Sequence, residues 1–140
     1  MGYYELLLAR KLGGGGGGGG GISVDDIAQN LQPSGDIVLS DSVTQIGDYA
    51  FTSKPITSVV GNNVTKIGAE TFHFCLLETI SFPNLTNITG ANVFRNTKLV
   101  TVNLPKLVSM GSGNLFGDNA LLETCVFPSL TSTKQSLRNG

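Results

Sequence analysis

The chain has 140 residues, of which 14% are charged, 40% are hydrophobic and 7% are aromatic, and its formal net charge is -1. This length suits one domain with a single core. The weak charge excludes the basic footprint of a nucleic-acid-binding protein, and no run approaches the roughly 20 apolar residues of a membrane-spanning helix. Two cysteines, Cys75 and Cys125, are too few for a disulfide-stapled domain, so we expect reduced thiols.

The first segment, residues 1–12, is predicted to form about two turns of apolar helix that act as a tether. Tyr4, Leu7, Leu8 and Leu12 fall at helical spacing, with basic residues near the end. Glu5 precedes the short apolar stretch and no basic residue does, so this segment does not match a Sec signal peptide. We therefore expect a protein that is not exported by the Sec route.

Residues 13–21 are nine consecutive glycines. Glycine has no side chain to bury and the most backbone entropy to lose, which favours a flexible linker. In the alternative, poly-glycine segments of several copies pack together as extended threefold helices and contribute to self-assembly. The run is not a phosphate-binding loop, because no strand precedes it and no Lys-Ser/Thr pair follows it.

Residues 22–36 are predicted to form a short capping helix and a turn. Ser23 and Asp26 have the spacing of a capping box, and a helix through Leu31 would end before Pro33, Ser34 and Gly35. Such a helix could cover the open apolar end of a repeat array.

Apolar residues recur every 21 to 23 positions from residue 37 onward. The clearest marker is phenylalanine, with spacings of 21, 22 and 22 residues. The columns that keep this spacing are Phe51/Phe72/Phe94/Phe116, Ile46/Ile67/Ile88/Met110, Val43/Val64/Leu85/Leu107/Leu130, Ile56/Leu77/Leu99/Leu122 and Val59/Ile80/Val102/Cys125. A repeat of this length predicts stacked coils, since one coil cannot bury its apolar face alone.

Each coil is expected to open with a strand that ends at a proline (Pro83, Pro105 and Pro128), then to form a second extended piece and a turn that carries the buried phenylalanine. Residues 37–140 are therefore predicted to form a mainly-β, right-handed leucine-rich-repeat solenoid of about five coils, with short turns or 3-10 segments between strands. Extending the repeat spacing back to the first coil places Val38 and Ser40 inward. Ile37 and Leu39 are equally apolar, so the register of the first strand stays open. The last coil has no phenylalanine.

The repeat Leu-x-x-Ile-x-Phe-Pro-x-Leu-x-x-Ile, followed by glycine and a buried phenylalanine, resembles the BspA-type leucine-rich repeat over about residues 37 to 130. Ile46-Gly-Asp-Tyr-Ala-Phe51 is the closest match to the turn of that family, and Cys75 lies where the family often has a cysteine. The resemblance implies a face for binding, as in bacterial surface adhesins, protist surface proteins and bacteriophage proteins.

A second resemblance concerns residues 4–36. Tyr4-Glu-Leu-Leu-Leu-Ala-Arg-Lys-Leu12, the glycine run, Val24-Asp-Asp-Ile-Ala28 and Pro33-Ser-Gly-Asp36 are similar to a tract in proteins of tailed phages and prophages of gut Firmicutes. This resemblance implies a virion-associated protein, with roles in tail structure or host recognition, and a location in the virion or the bacterial host cytoplasm. The alternative is a bacterial cell-surface adhesin, which would need a route of export.

Residues capable of catalysis or metal binding do not cluster in the sequence. His73 has no acidic or cysteine partner at ligand spacing, and Val100 separates Glu78 from Glu123 in their column. Cys125 occupies an inward column and is expected to be a small core residue. We therefore expect no catalytic residues, no metal, no cofactor and no enzymatic activity.

Two columns of hydroxyl residues remain as candidates for binding. One column lies on the first strands and comprises Ser58, Thr79, Thr101 and Thr124; the other lies on the second strands and comprises Thr44, Thr65, Thr86 and Thr131. Threonine is also simply a favourable exposed strand residue, so either column can be purely structural. The first-strand face, expected to bind a protein or a surface glycan, comprises Ser58, Val60, Thr79, Ser81, Thr101, Asn103 and Thr124, with Val126 beside it. The N-terminal segment and the glycine run are expected to contact a virion protein or another copy.

Overall fold

The computed structural model describes residues 21–22 and 35–133. Within these ranges the chain forms eleven short strands joined by turns, and no helix. The strands are β1 Gly21–Ile22, β2 Asp36–Val38, β3 Gln45–Ile46, β4 Ser58–Val60, β5 Lys66–Ile67, β6 Thr79–Ser81, β7 Asn87–Ile88, β8 Thr101–Asn103, β9 Ser109–Met110, β10 Thr124–Val126 and β11 Ser132–Thr133. The predicted helices at 1–12 and 23–31 and the glycines at 13–20 lie outside the described residues.

The strands form two walls of a solenoid. The second strands of the coils make one continuous back sheet in the order β1-β3-β5-β7-β9-β11. The first strands make a front wall of two parallel sheets, β2-β4-β6 and β8-β10. We call the outward surface of β4, β6, β8 and β10 the front face. The front ladder is interrupted between β6 and β8, and Ile80 on β6 is only half-buried.

Successive coils stack in the register that the sequence columns predict. Val59 pairs with Ile80 on the front wall, and Ile67 pairs with Ile88 on the back sheet. Because all neighbouring strands are parallel, equivalent residues of successive coils lie side by side. The predicted mainly-β leucine-rich-repeat solenoid is confirmed.

Four phenylalanine rings stack through the turn region. The ring centroids of Phe51 and Phe72 are 5.1 Å apart, and those of the pairs Phe72/Phe94 and Phe94/Phe116 are each 5.5 Å apart. All four side chains are buried, with at most 2% exposed. Parallel rings at this spacing combine apolar burial with offset stacking, so this spine joins the coils.

Each turn around a spine phenylalanine uses the left-handed backbone region. Residues two before the ring (Tyr49, Glu70 and Asn92) and two after it (Ser53, Phe74, Asn96 and Asp118) have φ between 50° and 60°. Close approach between coils requires glycine at Gly90, since a Cβ there would lie 2.3 Å from Ala69 Cα. Coils three and four have one more residue between the back strand and the spine than the first two, and the turn accommodates it, as expected.

The structure corrects the predicted phase of the first coil. Ile37 pairs with Val59 and is buried together with Leu39, whereas Val38 and Ser40 are partly exposed. The spacing to the next coil is 22 residues rather than 21, which shifts every side chain of the strand to the opposite face. At the start of the array, Gly21 and Ile22 form a back-sheet strand against Gln45 and Ile46, where the sequence predicted linker and helix.

The prediction that Cys125 lies in the core is wrong. Its thiol is free and exposed, although it continues the column of Val59 and Val102, which are buried. The reason is its place in the last front strand, since among the described residues no strand pairs with the outer edge of β10. A column position is buried only when a coil lies on each side of it.

Candidate binding face

Four polar side chains meet at the centre of the front face. Thr79 and Ser81 lie on β6, Thr101 and Asn103 lie on β8, and all four are exposed. Inward residues such as Val102 and Phe82 alternate with them and fix their outward direction by packing in the core. The predicted exposure of these four candidates is confirmed.

The side chains at this centre form no hydrogen bond with the described residues. Across the described residues, the hydroxyls of Thr79, Ser81 and Thr101 and the amide of Asn103 have no protein partner, and neither does the hydroxyl of Thr124 on β10. Each group can both donate and accept hydrogen bonds. The front face therefore presents polar groups that folding leaves available.

The second column of hydroxyls, on the back sheet, serves the fold. Thr65 Oγ1 donates to Thr44 O at 3.2 Å, and Thr86 Oγ1 donates to Thr65 O at 3.0 Å. Thr131 Oγ1 donates to the carbonyl of Val108 at 3.3 Å. These hydroxyls tie each coil to the preceding one, so the structural interpretation applies to the back column.

The candidates at the first end of the front face differ from those at its centre. Ser58 is half-buried and its Oγ donates to Asp36 Oδ1 at 2.8 Å, and Val60 is also half-buried. Ser58 thus acts in the contact between the first two coils. At the other end Thr124 is exposed and Val126 is 43% exposed, so the accessible face extends from β6 to β10.

The residues immediately before the front strands also border this face, although they were not among the predicted binding residues. Glu78, Val100 and Glu123 are all exposed beside Thr79, Thr101 and Thr124. Neither carboxylate forms an ion pair with a described residue, and the front strands β4 to β10 carry no basic residue. The repeat spacing of Glu78 and Glu123 is visible in the sequence, but it was weighed above only as evidence for acid/base chemistry. The front face is therefore weakly acidic.

The turn side of the solenoid contains a histidine that is tied into the structure. His73 Nδ1 lies 3.3 Å from Glu70 Oε2, and its ring stacks on Phe74 with the centroids 4.1 Å apart. Its Nε2 atom is buried without a hydrogen-bond partner in the described part of the chain. Over the same residues, no three His, Cys, Asp or Glu side chains are grouped in a way that could hold a metal ion.

A buried column beside the spine holds polar side chains in successive coils. Cys75 Sγ donates to Phe51 O at 2.9 Å, and Thr97 Oγ1 donates to Phe94 O at 3.2 Å. Asn119 Nδ2 donates to the carbonyls of Phe94 and Phe116, while its Oδ1 accepts from the backbone and side chain of Thr97. These groups satisfy turn carbonyls inside the fold, so the column is structural.

Comparison with known proteins agrees with this architecture. The family model for the BspA type leucine-rich repeat region matches residues 29–137 in six copies, a range that contains every described strand except β1. No curated protein matches the chain. Through residues 21–22 and 35–133 no helix has the length and apolar character needed to cross a membrane. The repeats, their register and the family match together show that the chain belongs to the BspA-type leucine-rich-repeat family.

Proposed function

We propose that this chain is a non-enzymatic binding module whose front face, from β6 to β10, contacts an extended polypeptide. The observation that carries the proposal is the division between the two hydroxyl columns. The back hydroxyls donate to backbone carbonyls, whereas Thr79, Ser81, Thr101, Asn103 and Thr124 are exposed without a protein partner among the described residues. Membership of the BspA-type family supports a protein-binding or adhesin-like role.

The spacing of the front face favours an extended partner. Parallel paired strands lie about 4.8 Å apart, so the equivalent polar groups of β8 and β10 recur at that interval, and those of β6 lie beside them across the interruption of the ladder. Short side chains on strands lose little rotamer entropy when they bind, and several can engage at once.

The charge and composition of the face narrow the chemistry of the partner. Glu78 and Glu123 give it negative charge without local ion pairs, which favours a partner with lysine or arginine side chains. No aromatic residue lies on β4, β6, β8 or β10, and aromatic surfaces provide much of the contact area in small-ligand sites. We therefore favour a basic, extended polypeptide over the alternative partner, a surface glycan.

The experiment begins with selection of ligands by the 140-residue chain from a random dodecapeptide library and a glycan array. Hydrogen exchange with and without the selected peptide then locates the contact. We expect slower exchange at β6 and β8 and unchanged exchange at β7 and β9. Protection confined to β7 and β9, or binding to glycans alone, would contradict the proposed face or the proposed partner.

For the biological setting we propose a phage or prophage virion, with a tail or host-recognition role. The support is the similarity of residues 4–36 to tracts in phage proteins, with the N-terminal segment as the attachment to a virion protein. Mass spectrometry of purified virions tests this setting, and consistent absence of the chain from them would exclude it. The alternative, a bacterial surface adhesin, predicts the chain on the outside of fractionated cells, whereas a protein of the host cytoplasm remains in the soluble fraction.

The proposal that the module is not an enzyme has its own test. We expect no turnover in a broad screen of esterase, glycosidase, phosphatase and peptidase substrates. Activity that purifies with the folded chain and is lost on substitution of a single residue would overturn the proposal.

A further inference from the structure

The C-terminal end of the described solenoid has the form of half a coil-to-coil contact. Cys125 is exposed, Phe127 and Leu130 are only partly buried, and Leu122 is buried in the core. In the coils before it, the equivalents Val102, Leu104 and Leu107 are fully covered by the next coil. The last coil therefore presents the same apolar columns without a described neighbour.

The outer edge of β10 offers backbone groups for pairing. Thr124 N donates to Val100 O, and Val126 O accepts from Leu104 N at 3.0 Å, so both residues direct their peptide groups towards β8. Alternate residues of a strand point these groups to opposite sides. The N–H and C=O of Cys125 consequently face the unpaired edge, and no lysine or proline within β10 protects it.

We propose that two copies of this chain associate through this end, with β10 antiparallel to β10 of the second copy about a twofold axis at Cys125. A second copy fits this end because its apolar columns continue those that join successive coils inside the solenoid. A surface made of repeat columns is complementary to another repeat end, and a twofold axis lets the same surface serve on both sides. The inference does not depend on any ligand of the front face.

This arrangement fixes the geometry at the axis. Cys125 of each copy faces the other as a hydrogen-bonded pair, for which the Cα atoms lie about 5.5 Å apart. That distance falls within the range that a disulfide can bridge, about 4.4–6.8 Å. Thr124 of each copy faces Val126 of the other, and Glu123 faces Phe127, so the pairing brings no like charges together. The result is one continuous front face across both copies.

Sedimentation equilibrium of the reduced 140-residue chain tests the association. We expect a mass twice the 14.6 kDa of one chain at tens of micromolar. Cys125→Lys places an inward charge on the edge and should restore the mass of a single chain, because an inward-pointing charge blocks edge pairing. Val126→Lys is the matched control, since its side chain points to the outward face, and it should leave the dimer intact.

Oxidative cross-linking tests the register. Diamide accepts the two protons and two electrons that two Cys125 thiols lose as their sulfur–sulfur bond forms. We expect a covalent dimer on non-reducing gels for the natural chain and for Cys75→Ser, and none for Cys125→Ser. The Cys125→Ser variant should still sediment as a dimer, since serine retains the backbone pairing.

Three results would each overturn the proposal. A single-chain mass at every concentration would mean that another part of the chain, such as residues 134–140, covers this end. Mass that grows beyond two chains would indicate head-to-tail stacking. A dimer that persists in Cys125→Lys would place the contact elsewhere, for example in the glycine run.

Discussion

At the scale of single residues, different residue types serve the same purpose at one repeat position in different coils. Three residues after Phe72, Phe94 and Phe116, the side chains at the equivalent position all donate to turn carbonyls, through the thiol of Cys75, the hydroxyl of Thr97 and the amide of Asn119. The common requirement is a hydrogen-bond donor of modest size inside the turn. Cys75 therefore has a structural reason for its place, and both cysteines are free thiols.

The two thiols should differ sharply in reactivity. Burial raises the pKa of Cys75 from its ordinary value of 9.0 to about 12; partial desolvation also raises the pKa of Cys125, but that thiol is exposed. Because the thiolate is the nucleophile, we expect a disulfide reagent such as DTNB at about pH 8 to label one thiol per folded chain in dilute solution and the second only in urea. Rapid labelling of both thiols in the folded chain would mean that Cys75 is accessible.

The same pKa shift makes stability depend on alkaline pH. The folded chain holds the Cys75 proton more tightly than the unfolded chain does, so this contribution is complete below pH 9 and is lost as the pH rises towards about 12. In urea titrations, the natural chain should lose free energy of unfolding relative to Cys75→Ala between pH 8 and about pH 10.5. An unchanged difference between the two proteins would contradict the burial of the thiol.

At the scale of elements, the phenylalanine spine connects successive coils through the turn region. Phe94 lies between Phe72 and Phe116 and is fully buried. Phe94→Ala should lower the free energy of unfolding by about 3–5 kcal/mol, through lost apolar transfer and a cavity. Phe74→Ala is the matched control, because Phe74 is 55% exposed and should matter much less. Equal losses in urea titrations would show that the spine is not the core.

The two hydroxyl columns should respond differently to removal of their oxygens. Thr65→Val with Thr86→Val removes two hydrogen bonds to backbone carbonyls and should lower the free energy of unfolding by about 1–2 kcal/mol. Thr79→Val with Thr101→Val removes none, so we expect a change within about 0.5 kcal/mol. Equal destabilisation of the two double variants would contradict the difference between the hydrogen-bonded back hydroxyls and the front hydroxyls, on which the proposed binding face depends.

The repeat columns allowed the strands, their register and the buried phenylalanines to be predicted, because burial between two coils constrains every position in the same way. The positions at the two ends of the array could not be predicted in this way. Ile37 and Val38 are equally apolar, so only the observed pairing fixes the first strand, and Cys125 is exposed because its column ends there. The left-handed residues Tyr49 and Phe74 carry no turn signal, since glycine and asparagine are the usual residues in that region.

The candidate face was predictable in part. Alternation along the strands identified Thr79, Ser81, Thr101 and Asn103 as outward, and the structure agrees. Sequence could not distinguish Thr86 from Thr101, since both are strand threonines, and the difference lies in whether a carbonyl of the preceding coil is within reach. The acidic members Glu78 and Glu123 were visible as a column, but were judged only as possible catalysts.

At the scale of the whole molecule, the groups that stabilise the solenoid are separate from those of the proposed binding face. The spine, the back sheet and the buried donors hold successive coils together, and each coil depends on its neighbours. The front strands contribute their inward residues to the core, whereas the polar groups at the centre of the front face have no hydrogen-bond partner among the described residues. This division explains how one repeat can vary its outer residues, as between Ser81 and Asn103, while its inner columns stay apolar.

The most direct test of the central claim is a binding titration with two matched double variants. Thr79→Lys with Thr101→Lys adds two charges to the front face of coils three and four, and Asn87→Lys with Val108→Lys adds the same charges to the back of the same coils. All four side chains are exposed, so both variants should fold, as circular dichroism can verify. We predict that the front variant loses binding of the selected peptide by at least about tenfold, a change of about 1.4 kcal/mol, while the back variant binds as the natural chain does. Retained binding by the folded front variant, or loss in the back variant alone, would contradict the account.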